Sequence, residues 1–221
     1  HINLLVSDAS DICACGDSDS ISDCTVITID RLTSTKTLLT IEEHTDAEYV
    51  LLSLKHTPVS LGLHALDRLL RVATDSNAGM VYADCYIQKD GVQEKHPTID
   101  YQTGSIRDDF DFGQLVLIRA SLLHEYAAKQ HLADYKWAGF YDLRLYISRK
   151  SQIFHLNEYL YTQVETDSRK SGERQFDYVN PRNREVQIAV SSTPLTLPTK
   201  RLVSISVVSV SLKQKNHKDK H

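Results

Sequence analysis

The residues best equipped for chemistry in this 221-residue chain stand in one run, Arg107-Asp108-Asp109-Phe110-Asp111-Phe112. Three carboxylates within four positions can hold a cation or accept hydrogen bonds from hydroxyls, and Arg107 can assist them. The alternating Phe110 and Phe112 allow a second reading, in which the rings anchor a loop in the core and the acids face water. Asp84 sits on a strand-like run and is either a site acid or a satisfied polar residue near a sheet end. Lys55 closes the apolar run Tyr49-Val-Leu-Leu-Ser-Leu-Lys55. Its ammonium is either an exposed charge at a strand end or a point charge for phosphate. Asp142 lies in a helical stretch near Arg144 and Arg149, and Asp8 lies in a turn-forming cluster where it can bond its own backbone. His64 and His96 show no partner in the sequence and read as structural. There is no Walker phosphate loop, no G-x-G-x-x-G, no G-x-S-x-G and no H-E-x-x-H.

These side chains need elements to position them. Ile2–Val6 and Cys24–Ile29 are β-rich runs, and Thr33–His44 reads as a helix with Thr33 as its cap. Tyr49–Leu52 is apolar on both faces, as a strand covered on two sides must be. After Pro58, Ser60 caps an amphipathic helix over Leu61–Ala73, with Leu63, Leu66, Leu70 and Ala73 on its apolar face. Met80–Ile87 reads as a strand that Asp90-Gly91 returns as a hairpin. A strand over Gln114–Ile118, helices over Ser121–His131 and Tyr135–Lys150, and strands over Gln152–Leu156 and Tyr159–Val164 follow. Asn180 and Pro181 cap and begin one more helix. Strands alternating with helices predict an α/β fold, with a mostly parallel sheet flanked by helices.

Bulk composition sets wider bounds. Hydrophobic content of 41% and charged content of 24% suit one globular core, and a net charge of -4 gives no reason to expect nucleic acid. No apolar run is long enough to span a membrane, and no signal peptide is visible. The spacing of Cys13, Cys15, Cys24 and Cys85 is not that of a zinc site, so reduced thiols and a cytoplasmic location are expected. The composition changes near residue 190. From Ser191 onward there are 6 Lys/Arg against one Asp, whereas the preceding residues carry 19 Lys/Arg against 28 Asp/Glu. Alternating Val/Ile and Ser over Leu202–Leu212 precede a Lys/His tail. This is either a strand with a basic tail for an acidic partner, or a segment foreign to the fold. The expected organisation is a domain over 1–164, a connecting segment with a helix start over 165–190, and an atypical basic tail over 191–221.

Several strings, in shared order from Ile2 to Val164, resemble family 2 glycosyltransferases. Leu4-Leu-Val-Ser-Asp8 looks like that family's second strand and its Asp-bearing turn. Ala47-Glu-Tyr-Val-Leu-Leu52 looks like the strand leading to its acidic metal motif, and Val59 to Leu70 like the helix after it. Asp142-Leu-Arg-Leu145 resembles the helix that carries the catalytic base, and Ile153–Tyr161 the closing strand. His96–Gly113 is similar to a subgroup of bacterial sugar transferases in which this domain precedes a second transferase domain.

The resemblance implies a GT-A-like fold whose first strand lies outside this chain, so that the chain is a fragment. It implies nucleotide-sugar-dependent hexosyl transfer in surface polysaccharide synthesis, by a cytoplasmic or membrane-peripheral protein. It assigns Asp8 to the nucleobase or ribose, Asp142 to the base, and Asp84, Arg107, Asp108, Asp109 and Asp111 to the sugar or acceptor. Family members hold Mg or Mn on acids at the strand end; here Ser53-Leu54-Lys55 offers no carboxylate, so Lys55 is expected to replace the metal against the diphosphate. The family's Glu-Asp pair aligns with Gly139 and Phe140, so the usual base is missing too. Two functions follow: a transferase with impaired catalysis, or a non-catalytic binding or scaffold domain supporting an active transferase domain or another copy of itself.

Overall fold

The computed structural model describes residues 2–6, 21–27, 31, 33–55, 57–89, 91–102, 104, 108–129, 132–164 and 181–192. Asp8, Arg107 and the expected strand over 202–212 lie outside them.

Strands β1 (Ile2–Val6) and β2 (Ile21–Val26) pair in parallel as a small sheet of their own. Helix α1 (Thr35–Glu43) follows, then strands β3 (Tyr49–Ser53) and β4 (Val59–Leu61) and helix α2 (Ala65–Ser76). Strands β5 (Met80–Lys89), β6 (Val92–His96) and β7 (Leu115–Arg119) lead to helices α3 (Ala120–Ala127) and α4 (Gly139–Lys150). Strand β8 (Ile153–Val164) and helix α5 (Pro181–Ser192) complete the described chain. The main sheet has the order β3-β7-β5-β8-β4, with β6 paired to β5.

The α/β expectation is met, but the sheet is mixed rather than mostly parallel. Strands β5 and β8 are parallel, whereas β7 is antiparallel to both β3 and β5, and β4 is antiparallel to β8. Two connections cause this. The β5–β6 hairpin turns through Gly91, whose φ of 81° suits a residue without a Cβ. The long link from His96 to Leu115 contains no described helix, so nothing imposes the parallel crossover that a helix between strands favours.

Alternation along the strands builds two core layers. Met80, Tyr82, Val116, Ile118 and Ile153 face Leu38 and Ile41 of α1, Leu123 and Tyr126 of α3, and Leu143 and Ile147 of α4. Val81, Ala83, Leu117 and Leu156 face Leu69, Val72 and Ala73 of α2. Helices thus cover both faces of the sheet.

Three elements differ from their expected form. Ser34, not Thr33, caps α1, its hydroxyl accepting from Thr37 N at 3.2 Å. The helix expected over Leu61–Ala73 begins at Ala65, because Val59–Leu61 is captured by the β8 edge and Gly62 N donates to Leu160 O at 2.8 Å. Leu63 is consequently 91% exposed, and the buried face is Ala65, Leu69, Val72 and Ala73, rotated from the expected one. The two closing strands are one, β8, with a register shift opposite Asp84: Ala83 pairs with Leu156 and Asp84 with Tyr159.

Helix α5 packs Ala189, Val186 and Val190 against Tyr135, Tyr141 and Leu145. It also supplies what α4 lacks. Ala138 offers no side-chain cap to α4, and Glu185 Oε2 instead accepts from Trp137 N at 2.6 Å and Ala138 N at 3.2 Å. A carboxylate there satisfies orphan donors and complements the helix dipole. Glu185→Ala is expected to cost about 1.5 kcal/mol in urea unfolding, with Glu185→Gln intermediate.

Candidate functional site

The carboxyl end of β3 and the middle of β5 flank the start of β7, where Ser53 pairs with Leu115 and Tyr82 with Val116. Gln114, fully buried, builds the turn that follows β3. Its Nε2 donates to Thr57 O at 2.6 Å, Ser53 Oγ at 3.2 Å and Lys55 O at 3.3 Å, and its Oε1 accepts from the Thr57 hydroxyl at 3.1 Å. Ser53 Oγ donates to Lys55 O at 2.9 Å. Leu54 N donates to Gln114 O at 2.8 Å. One amide side chain therefore ties together Ser53, Lys55 and Thr57 and leaves the Lys55 side chain exposed. Behind Gln114, the Tyr161 hydroxyl accepts from Gln114 N at 2.8 Å and Leu115 N at 3.3 Å. Tyr161 also bonds the Cys85 thiol, which burial pushes up to about 11, so this free cysteine is an inert core residue.

Asp111 comes to the same edge. Its Oδ2 meets His96 Nε2 at 2.8 Å and its Oδ1 accepts from Gly113 N at 2.9 Å. Burial raises its carboxyl, but the His96 and Gly113 bonds, with the charges of His96 and Lys55, hold it below its ordinary value. With 55% of the side chain exposed, solvent screens the pair and the energy involved is small. The partner of His96, not evident in the sequence, is therefore Asp111. His64 takes a left-handed backbone, φ 59°, at the start of α2 and lies 3.5 Å from exposed Asp67.

The Phe rings in the Asp108–Phe112 loop do anchor it. Phe112 is buried and Phe110 partly so, with ring centroids 5.0 and 6.2 Å from that of Tyr82. Asp109 and Asp111 are exposed, and Asp108 turns toward the Arg144 and Tyr141 side. Arg144 is 2% exposed, its guanidinium over the rings of Tyr141 and Phe112 at 4.4 and 5.6 Å. Burial lowers its pKa, opposed by Tyr101, Tyr141 and Asp108.

Asp84 is buried at the β8 register shift. Its Oδ1 accepts from Thr98 N at 2.8 Å and the Thr98 hydroxyl at 2.9 Å, and meets His155 Nε2 at 2.9 Å. Burial raises its carboxyl, yet the Thr98 and His155 bonds together hold it below its ordinary value. The other ring nitrogen, His155 Nδ1, meets Asp100 Oδ1 at 2.7 Å. Sequence reading did not single out Thr98, Asp100, Gln114 or His155. The one signal for His155 was a lone histidine within an otherwise β-rich closing strand.

Asp142 is not part of this edge. It lies 5% exposed in the first turn of α4 and faces α3, where its Oδ2 accepts from the Tyr126 hydroxyl at 2.9 Å and Lys129 Nζ at 3.4 Å. Among the expected residues, Lys55 thus acts on Asp111 at the end of β3, whereas Asp84 is bonded to Thr98 and His155 and Asp142 lies apart against α3.

A divalent cation does not fit these residues. The β3 end presents a hydroxyl and an ammonium, and among the described residues no three His, Cys, Asp or Glu side chains are arranged to hold a metal ion. A shallow depression of about 490 Å³ lies at the opposite end of the sheet, lined by Tyr49, Asn77 and Arg119, away from all of these groups. Among the described residues no helix is long and apolar enough to cross a membrane.

Fold and edge together define an α/β domain with a mixed, helix-covered sheet and a hydrogen-bonded polar rim at the carboxyl end of β3 and the middle of β5. No family model matches the chain, and no curated protein matches it either.

Proposed function

We propose that the chain is a family 2-like glycosyltransferase domain of GT-A type that keeps a nucleotide-sugar site at the Lys55 edge and whose catalysis is impaired. The observation that carries this reading is the division of the two reactive corners. Lys55 is exposed on a turn fixed by Gln114, where a cation can meet a diphosphate. Asp142 is buried and already bonded to Tyr126 and Lys129, so no carboxylate stands free at the base position. The same burial favours the second reading, a non-catalytic domain that supports an active transferase domain in surface polysaccharide synthesis.

Titration calorimetry with UDP-glucose and GDP-mannose tests the site. Binding is expected to be unchanged by chelator and to weaken roughly tenfold in Lys55→Ala, the loss of one charge-assisted phosphate contact. Equal affinity in Lys55→Ala removes Lys55 from the site. Hydrolysis or transfer assays separate the two readings: slow turnover marks an impaired enzyme, and binding without turnover marks a supporting domain.

A further inference from the structure

Solvent screens the His96–Asp111 pair, so stability gains little from it, yet both oxygens of the carboxylate are fixed. Asp111 Oδ1 accepts from Gly113 N at 2.9 Å, and Oδ2 lies 2.8 Å from His96 Nε2. Gly113 is itself wedged against the Tyr161 hydroxyl, with no room for a Cβ. The next residue, Gln114, accepts from Leu54 N at 2.8 Å and donates to Lys55 O at 3.3 Å. These links join the imidazole to the turn that bears Lys55, and the Lys55 charge reaches Asp111. On its other side, His96 stands opposite Cys85 in the β5–β6 ladder, so the sheet holds its backbone.

Asp111 also decides which ring nitrogen carries the proton. A carboxylate has no proton to give, so in the neutral ring the hydrogen sits on Nε2 and faces Asp111. Nδ1 then holds the lone pair. It has no partner among the described residues, and the side chain is 33% exposed. One nitrogen backed by a carboxylate and the other offering a lone pair is the arrangement of a general base. Its neighbour Lys55 is a cation suited to a diphosphate.

We propose that His96 is the general base of this edge, with Asp111 as its positioning residue, and that it activates the hydroxyl or water that displaces a diphosphate held by Lys55. The inference rests on the nucleotide-sugar reading above and supplies a base where Asp142, buried against α3, does not. In the step, Nδ1 takes the proton of the attacking hydroxyl while the new O–C bond forms at the anomeric carbon of the sugar. The C–O bond to the diphosphate breaks with its electron pair, and the nucleoside diphosphate leaves against Lys55. Asp111 stabilises the imidazolium until it passes its proton to solvent. A base this exposed works in a wet site, which accords with slow turnover.

Asp111→Asn tests the dyad without removing the imidazole. Gly113 N still needs an acceptor, so the Asn oxygen turns to it and the NH2 group faces His96 Nε2. The ring must then accept at Nε2 and carry its proton on Nδ1, the wrong tautomer for a base. On the full chain at about pH 8, hydrolysis of UDP-glucose and GDP-mannose is expected to fall roughly a hundredfold in both Asp111→Asn and His96→Gln, while calorimetric affinity does not fall. Nitrogen-15 NMR should show the His96 proton on Nε2 in the wild type and on Nδ1 in Asp111→Asn. Lys55→Ala should instead weaken binding. Wild-type hydrolysis in either dyad variant, a loss of affinity that matches the loss of hydrolysis, a wild-type proton on Nδ1, or binding without any turnover overturns the base and leaves the Lys55 site standing. No binding by the wild type overturns the nucleotide-sugar reading itself, and the base with it.

Discussion

Gly139→Ala should lose about 3 kcal/mol of stability, and Gly139→Glu should lose more, enough to leave much of the chain unfolded at room temperature. The reason is backbone, not side chain. A Cβ at 139 would lie 2.7 Å from the Ser34 carbonyl carbon and 2.9 Å from Thr33 O, and closer still to Thr35 N. None of these atoms can give way. Thr35 N donates to Tyr135 O at 2.8 Å, and Phe140 N donates to Thr33 O at 3.1 Å, so the starts of α1 and α4 are clamped together. A glutamate would add the burial of an unpaired carboxylate to the overlap. Urea unfolding followed by circular dichroism checks this, and a wild-type midpoint for Gly139→Ala would contradict the close approach. The consequence reaches function. In the proposed reading, position 139 stands where the resembled family carries the first acid of its base motif, and the backbone of Thr33, Ser34 and Thr35 occupies the space such a side chain needs. Under the proposed reading, lost catalysis cannot be restored by returning that acid alone.

The same contact shows where sequence reading works and where it stops. Apolar runs such as Met80–Ile87 and Gln114–Ile118 announced themselves as strands because their alternating positions are buried on both faces, and Gly91 announced the hairpin because its conformation needs glycine. Strand direction was not local information. Strand β7 enters antiparallel, with no helix among the described residues between His96 and Leu115, and no residue type records that direction. The face of α2 was misread because Leu63 fits a helical period while β8 draws Val59–Leu61 into the sheet, an example of tertiary pairing overriding local pattern. At the site, Lys55, Asp84 and Asp111 were legible one by one as charged residues at strand ends and in a loop. Their partners were not. Asp84 and His155 are 71 positions apart and meet across a register shift, and Gln114 reaches 57 positions back to Thr57. Hydrogen-bond partners at such separations follow from topology, which had to be known first.

Removing the Asp142 carboxylate is the other substitution with a large expected effect, and it tests structure and chemistry together. Asp142→Ala should cost about 3 kcal/mol, because it strips a nearly buried acceptor from two donors at once. The Tyr126 hydroxyl is fully buried and would lose its shortest bond, keeping the Thr35 side chain and a long 3.5 Å contact to Gly139 O, and Lys129, 29% exposed, would lose its counter-charge. Asp142→Asn is the milder probe, since its carbonyl can still accept from Tyr126 while the charge is gone. Burial raises the Tyr126 phenol first, and the Asp142 charge and bond raise it further. In Asp142→Asn the phenol should therefore ionise at lower pH than in the wild type, yet still above an ordinary tyrosine, because burial remains. Phenolate absorbance during alkaline titration reads this, and chemical unfolding reads the stability. If Asp142 is the structural acid that its contacts describe, both readouts move in Asp142→Asn while nucleotide-sugar affinity at the Lys55 edge stays constant. If affinity falls with stability unchanged, the carboxylate faces ligand rather than α3, and the separation of the two corners fails.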